Sequence, residues 1–295
     1  MEKNLKWNGR SYGGRFGNGV FAVLLRFGRM PAYVLMAFVA LFFMLFRRRQ
    51  CAASSEYLSA RFGEKVGAVS WRAYRHLFSF GMAIIDKYAY FSGAKMEISD
   101  ECGAQIRKSL SRGKGAVLVV SHIGGWAISG GRLAEYDCPV GVVGISAEHD
   151  YIEKMKNRRL VRKEPAMIAS AADPFSMVAA MSLLRRNGIV AMHGDRYAGG
   201  KFARVRFLGR EARLPVSAFA LAAKTGATVF NVFCVRTRSG GYKMTASCGR
   251  TISDLRGAEL DAALADAARA YAADIEDVLR GHPFEWFNFY PFWQQ

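Results

Sequence analysis

Residues 116–121 read Ala-Val-Leu-Val-Val-Ser, an apolar run with no polar alternation. Such a short run is what a strand covered on both faces looks like, and strands of that kind belong to parallel sheets with helices above and below. His122, Ile123, Gly124, Gly125 and Trp126 follow, and a helical pattern then takes over. Buried strand, glycine turn and helix in immediate succession commit the chain to an α/β architecture.

The rest of the chain repeats the alternation. Helices are expected over 54–62, 66–90, 100–112, 126–136, 150–163, 173–186, 215–225 and 258–280. Strands are expected over 140–145, 188–193, 204–208 and 228–236, with 242–248 returning as a hairpin arm through Ser239-Gly240-Gly241. Gly281 and Pro283 stop the last helix, whose Leu260, Leu264, Tyr271, Ile275 and Leu279 share one face. The expected fold is α/β, a mixed, mostly parallel sheet flanked by helices, with an N-terminal membrane-anchoring helix. The expected division is an anchor over 1–50 and an α/β domain over 51–295.

The anchor rests on residues 30–46, seventeen positions without a charge, closed by Arg47, Arg48 and Arg49. As a helix the run measures about 26 Å, a little short of the ~20 residues that cross a bilayer. It reads as one tilted span, a helix lying in the interface, or a buried helix of the soluble fold. Three arginines where a signal peptidase needs small residues argue against a cleaved leader.

Charge narrows the partners. The chain carries 42 Lys+Arg against 24 Asp+Glu, a net of +18. Residues 1–75 hold 13 of the basic residues and 3 of the acidic ones. Basic residues interleaved with Phe, Leu and Met fit an anionic membrane surface better than a nucleic-acid arm, which would be polar. A second basic stretch contains Lys154, Lys156, Arg158, Arg159 and Lys163, and a third alternates Arg204, Arg206, Arg210 and Arg213. Either is a solvated face or a landing surface for an acidic carrier protein or phosphorylated lipid. Five cysteines without paired spacing give no disulfide framework and no zinc site, and fit a reducing compartment.

His122 stands where open α/β sheets bind ligands, at the carboxyl end of a strand. It is either a general base for a hydroxyl or a structural strand-end residue. The helix that begins near Gly125 offers N–H groups and partial positive charge to a phosphate or oxyanion. Gly194-Asp195-Arg196 follows another strand and reaches the same edge. Arg196 is either a fixed cation for a phosphate or a thioester oxyanion, or half of an Asp–Arg pair that orders the turn. His193 reads as a strand-end structural residue, and His76 and His282 as structural. His149 lies between Glu148 and Asp150, adjacent residues that cannot converge on one metal ion. No G-x-S-x-G, Walker A loop or G-x-G-x-x-G is present, which removes serine hydrolases, P-loop NTPases and dinucleotide enzymes.

In Ser121-His122-Ile123-Gly124-Gly125-Trp126, then Gly194-Asp195-Arg196, Phe207-Leu208-Gly209, Ala212, Pro215 and the closing His282-Pro-Phe-Glu-Trp286-Phe-Asn-Phe-Tyr290-Pro-Phe-Trp293, the chain resembles the bacterial lipid A biosynthesis acyltransferases. These are relatives of the lysophospholipid acyltransferases. Trp7 and the basic, apolar N-terminus are similar too. The family signature is His, four residues, then Asp or Glu, locally H-x-G-x-W-E, and His122, Gly124 and Trp126 match it. Ala127 stands where the family has its carboxylate.

That acid would orient the imidazole and stabilise the imidazolium, which alanine cannot do. Ala127 is therefore an inactivating substitution, the mark of a natural pseudoenzyme, or a position whose duty another acid has taken, Asp195 first. The expectation from the motif alone is an inactive chain. The resemblance implies fatty acyl transfer from acyl carrier protein to a hydroxyl of a membrane lipid such as a lipid A precursor, on the cytoplasmic face of a bacterial inner membrane. His122 would be the base, with Arg196 and the Gly124-Gly125-Trp126 turn serving the substrate; no metal or organic cofactor is called for. The alternatives are transfer to another lipid, such as an amino-lipid or glycerolipid, or a non-catalytic membrane-bound adaptor for lipid or carrier protein.

Overall fold

The computed structural model describes residues 27–144, 166–168, 174–197, 199–252 and 255–294. Its strands are β1 (Ile98–Asp100), β2 (Ala116–Val120), β3 (Val140–Val143), β4 (Ala166–Ile168), β5 (Ile189–His193), β6 (Phe202–Phe207), β7 (Arg210–Pro215), β8 (Thr228–Arg236), β9 (Tyr242–Ala246) and β10 (Arg250–Thr251). Its helices are α1 (Arg29–Phe46), α2 (Arg48–Phe62), α3 (Trp71–Phe91), α4 (Gly103–Leu110), α5 (Trp126–Leu133), α6 (Pro174–Arg185), α7 (Ser217–Thr225) and α8 (Gly257–Gly281). The main sheet runs β1-β9-β8-β2-β5-β3-β4, with β10 also on β8. From β8 to β4 every pairing is parallel; β9 and β10 run antiparallel to β8. The sheet is mixed and mostly parallel, as the alternation of runs requires.

The pleat explains why β2 has no polar position. Val117 and Val119 point to one face, with Val190, Met192, Phe233 and residues of α6, α7 and α8. Ala116, Leu118 and Val120 point to the other, with Ile189, Ala191, Val232 and residues of α3, α4 and α5. All five residues of β2 are buried. Side chains alternate between faces along a strand, so a strand sandwiched by helices must be apolar throughout.

Two expectations fail here. The helix expected from 66 to 90 begins at Trp71, because the Ser70 hydroxyl accepts the Ala73 N–H at 3.2 Å and caps it. Pro215 does not open a helix; it ends β7, which pairs with β6 as a separate hairpin. The hairpin turns through Leu208 and Gly209, both with positive φ (48° and 78°). Its arginines point outward: Arg204 pairs with Glu211 at 2.8 Å, and Arg210 pairs with Glu56 at 3.0 Å and covers the Trp293 ring. The stretch from Lys154 to Lys163, with Lys156, Arg158 and Arg159, and His149 lie outside the described residues, as do the side chains of Arg48 and Arg49. Arg47 is exposed at the break between α1 and α2.

Among the described residues, α1 is the helix long and apolar enough to cross a membrane. It lies flush along α3, antiparallel to it. Near its start, Arg29 Nη1 donates to Asp86 at 2.9 Å, and Tyr33 also donates to this carboxylate. At mid-length Met36 fills the space above Gly81, where a Cβ would approach its Cγ to 2.3 Å. Near its end Ala40 and Met44 pack with Leu77. Asp86 is fully buried and also faces Tyr242 Oη at 2.7 Å and Arg236 Nε at 3.3 Å. The opposite side of α1 is bare: Met30, Val34, Phe38, Phe42 and Phe46 are all more than half exposed.

Beyond α8 the tail runs back through the core. Trp286 is fully buried, edge-on to Tyr57, Phe207 and Phe292. His76, also fully buried, bridges Ser54 Oγ and the Trp286 carbonyl, each at 2.7 Å. The carbonyl only accepts, so Nε2 carries the proton and Nδ1 receives the Ser54 hydroxyl. Burial pushes the proton affinity of His76 down to about 4, although the Trp286 carbonyl pulls the other way. In the unfolded chain the imidazole titrates near 6.5. Below that pH the unfolded state binds a proton that the native state refuses, so stability falls as pH drops from 6.5 towards 4. Unfolding free energy measured at pH 7 and pH 5 is expected to differ by roughly 2 kcal/mol from this residue alone. His76→Gln should remove that part of the slope; an unchanged slope would refute the assignment.

Candidate active site

β2 and β5 are parallel neighbours, and Val120 pairs with His193. Two residues beyond that pair lie His122 and Asp195, which therefore emerge side by side at the carboxyl edge of the sheet. His122 Nδ1 lies 2.9 Å from Asp195 Oδ1, and both side chains are buried. A carboxylate only accepts, so Nδ1 carries the proton and Nε2 is left with its lone pair for a substrate. Asp195 Oδ2 accepts the His122 backbone N–H at 2.8 Å and Trp286 Nε1–H at 2.9 Å. Burial by itself would raise the Asp195 carboxyl, but the charge and hydrogen bond of His122, with Arg196 beside it, hold it well below the ordinary carboxylate range. Asp195 is thus a fixed anion with three donors.

This geometry corrects the expectation of an unpartnered base. Ala127, half-buried in the first turn of α5, is not needed to meet Nδ1, because Asp195 already does. The turn is also used differently from the expectation. The Gly124 N–H donates to the Glu285 carbonyl at 2.9 Å and the Gly125 N–H to the Cys234 carbonyl at 2.7 Å, so neither is left for an oxyanion. Gly124 is glycine for packing: its φ is +52°, and a Cβ would lie 2.3 Å from the Cys234 carbonyl oxygen. Ile123 forms an antiparallel bridge with Trp286, and the Phe287 N–H donates to the His122 carbonyl at 2.8 Å. The tail therefore pins the loop that carries the histidine.

Three further side chains complete the site. Arg196 Nη2 donates to the Phe287 carbonyl at 3.1 Å, its guanidinium lies 5.8 Å from the Tyr290 ring, and its buried Nε has no hydrogen-bond partner. It does not form a salt bridge with Asp195, so the reading of an Asp–Arg pair that orders the turn does not apply. His193 stacks on His122 with ring centroids 4.1 Å apart, and its buried Nε2 is also without a partner. Burial, then the proximity of His122, holds His193 well below the usual imidazole range, so it is neutral. Trp126 lies 6.0 Å from the His122 ring and stacks with Phe80 of α3 at 6.4 Å, which brings one of the α3 aromatics to the edge of the site.

The sequence pointed to His122, Asp195, Arg196 and Trp126 individually, and the fold brings them together. It missed the role of Trp286, for which no local signal exists, because the indole acts 91 residues from its acceptor. It also missed Asp86, though one acid inside the apolar stretch Phe80-Gly-Met-Ala-Ile-Ile-Asp86 was a usable signal.

Comparison with known proteins adds a family. The sequence model described as "Bacterial lipid A biosynthesis acyltransferase" matches residues 8–295. Two relatives, each named "Phosphatidylinositol mannoside acyltransferase" and from Mycobacterium tuberculosis strains H37Rv and CDC 1551, are each 27% identical over 192 residues. The match covers 63% of this chain and 56% of each relative, so the chain spans about half the length of these curated proteins.

Proposed function

The chain belongs to the bacterial lipid A biosynthesis acyltransferase family, and from that premise we propose that it is an active enzyme that transfers a fatty acyl chain from acyl carrier protein to a hydroxyl of a membrane glycolipid. The observation that carries the reading is the buried His122–Asp195 pair at 2.9 Å, with Nε2 left for substrate. Nε2 takes the proton of the acceptor hydroxyl while its oxygen attacks the thioester carbonyl carbon. The imidazolium is stabilised by Asp195, which cannot rotate away because Trp286 and the His122 N–H hold its other oxygen. When the tetrahedral intermediate collapses, the C–S bond breaks, the new ester remains on the acceptor, and His122 returns the proton to the departing thiolate. Arg196, whose Nε lacks a partner, supplies charge to the oxyanion. Neutral His193 adds a second imidazole without adding a second cation.

The bare side of α1 supports attachment to a membrane, and its flush seat on α3 favours the interfacial orientation over a span, since α3 carries Arg72, Arg75, Asp86 and Lys87. Arg47, Arg48 and Arg49, and further along Lys154, Lys156, Arg158 and Arg159, would face anionic headgroups or the acidic carrier. The inner membrane, at its cytoplasmic face, is where such a donor and acceptor meet. The acceptor extends from lipid A precursors to mannosylated phospholipids, the class in the name of the two relatives.

The test is a paired assay with radiolabelled acyl carrier thioester and a glycolipid extract. The parent chain should transfer label, His122→Ala should not, and Ala127→Glu should stay within a few-fold of the parent. A silent parent rescued by Ala127→Glu would make Ala127 the missing acid and dismiss Asp195 from the role. Silence in all three, with lipid binding retained, would replace the enzyme by a lipid or carrier adaptor.

A further inference from the structure

A cleft of about 420 Å³ opens beside the loop that carries His122, between α3, the turn after β8 and the segment after α8. Gly124, two residues from His122, forms part of its wall. Arg75, Arg236, Arg238 and His282 line it together with one acid, Glu285. That acid is already engaged, accepting the Arg236 backbone N–H at 3.0 Å and lying 3.2 Å from His282 Nδ1. The Arg236 guanidinium is fixed at the base of the cleft by Asp86 and Tyr33, each at 3.3 Å. Arg75 rests over the Phe284 ring at 4.5 Å. Among the described residues, neither Arg75 nor Arg238 has a carboxylate partner, and both are exposed.

Arg236 is paired with Asp86 behind the cleft, but among the described residues no carboxylate pairs with Arg75 or Arg238, and the one acid in the lining is already committed, so the cleft keeps a positive excess. Guanidinium forks match the oxygens of a phosphate, and an anion that bridges two or three of them gains charge-assisted bonds the empty cleft lacks. Position indicates which phosphate. Arg236 shares Asp86 with Arg29 and Tyr33 of α1, so the cleft opens beside the helix whose bare side supports membrane contact.

We propose that the cleft formed by Arg75, Arg236 and Arg238 binds the phosphate of the acceptor lipid's headgroup and so holds the acceptor beside the His122 loop. This rests on the acyl-transfer reading for its purpose but not for its test, which reads binding alone. Arg236 and Asp86 give the site a rigid back, while Arg75 and Arg238 close on the ligand from the rim.

The test is calorimetric titration of the full chain in neutral detergent with dihexanoyl phosphatidic acid, 4′-phosphopantetheine and, as the uncharged control, dihexanoyl glycerol. Phosphatidic acid should bind at least tenfold more tightly than the glycerol control. The Arg75→Gln/Arg238→Gln variant should lose that preference while unfolding at the parent's temperature. His122→Ala should keep it, which separates failure of this site from failure of the catalytic assignment. Arg238→Glu, at the exposed rim, should weaken phosphatidic acid further by repulsion. Equal affinity for phosphatidic acid and the glycerol control would overturn the proposal, as would a preference untouched by both arginine variants. Binding of phosphopantetheine without phosphatidic acid would hand the cleft to the donor and overturn the lipid assignment.

Discussion

Asp195→Asn should lower the turnover of acyl transfer by about four orders of magnitude, by analogy with a catalytic triad whose orienting acid has become an amide. The wiring of the site explains why. Oδ2 of Asp195 receives two donors, the His122 backbone N–H and Trp286 Nε1–H, and Oδ1 receives His122 Nδ1–H. Asparagine has one acceptor oxygen and one NH₂ group. Keeping the two donors satisfied puts the oxygen in the Oδ2 position and turns the NH₂ towards Nδ1, which must then accept. The imidazole proton is driven to Nε2, the atom that takes the acceptor's proton in the proposed mechanism, and the fixed anion beside the imidazole is gone. Binding of lipid should change little, so the loss should appear in kcat while the acceptor KM stays within a few-fold. Far-ultraviolet circular dichroism would verify the fold. A variant within tenfold of the parent would show that His122 does not depend on Asp195.

Converting Val34, Phe38 and Phe42 to aspartate should weaken binding to phosphatidylglycerol and phosphatidylethanolamine vesicles by two to three orders of magnitude. These side chains are 58%, 67% and 52% exposed on the bare side of α1. Returning each from an apolar phase to water costs roughly 1–2 kcal/mol, and three together account for the loss before any repulsion from anionic lipid is added. The inner side of α1 is held independently by Arg29, Tyr33 and Asp86 at one end and by Ala40, Met44 and Leu77 at the other. Solution folding should therefore be unaffected, and thermal unfolding in detergent reads that control. Vesicle sedimentation unchanged by all three substitutions would mean that α1 is not the membrane contact.

The parts of this protein that were legible in sequence are those with strong local periodicity. β2, β5 and β8 are runs of β-branched and apolar residues, and α8 keeps its apolar stripe through seven turns from Gly257 to Gly281. β7 was hidden because Arg-Glu-Ala-Arg-Leu-Pro alternates only weakly and ends in a proline that also suits a helix start. The helix boundary at Ser70 was hidden because Val66, Ala68 and Val69 continue an apolar pattern, and the hydroxyl that stops it looks like any other serine. β1 and β4, of three residues each, are too short for any periodicity to register. The glycine pair after His122 was visible, but its purpose was not. Whether those N–H groups face a ligand or a carbonyl depends on Cys234 and Glu285, both more than a hundred residues away.

Local sequence decided that a histidine would stand at the end of a buried strand, that an aspartate would stand at the end of another, and that an apolar helix would precede them. It did so because burial on two faces and the 3.6-residue repeat of a helix both leave marks within a dozen residues. Which acid meets the histidine was decided only by the tertiary structure. Position 127 is five residues from His122 and Asp195 is 73, yet parallel pairing of β2 with β5 puts the distant one within hydrogen-bond reach. The same holds for Trp286, which the returning tail delivers to that aspartate. Hydrogen bonds between side chains are set by distance in space, and in a parallel sheet neighbours in space are necessarily far apart along the chain.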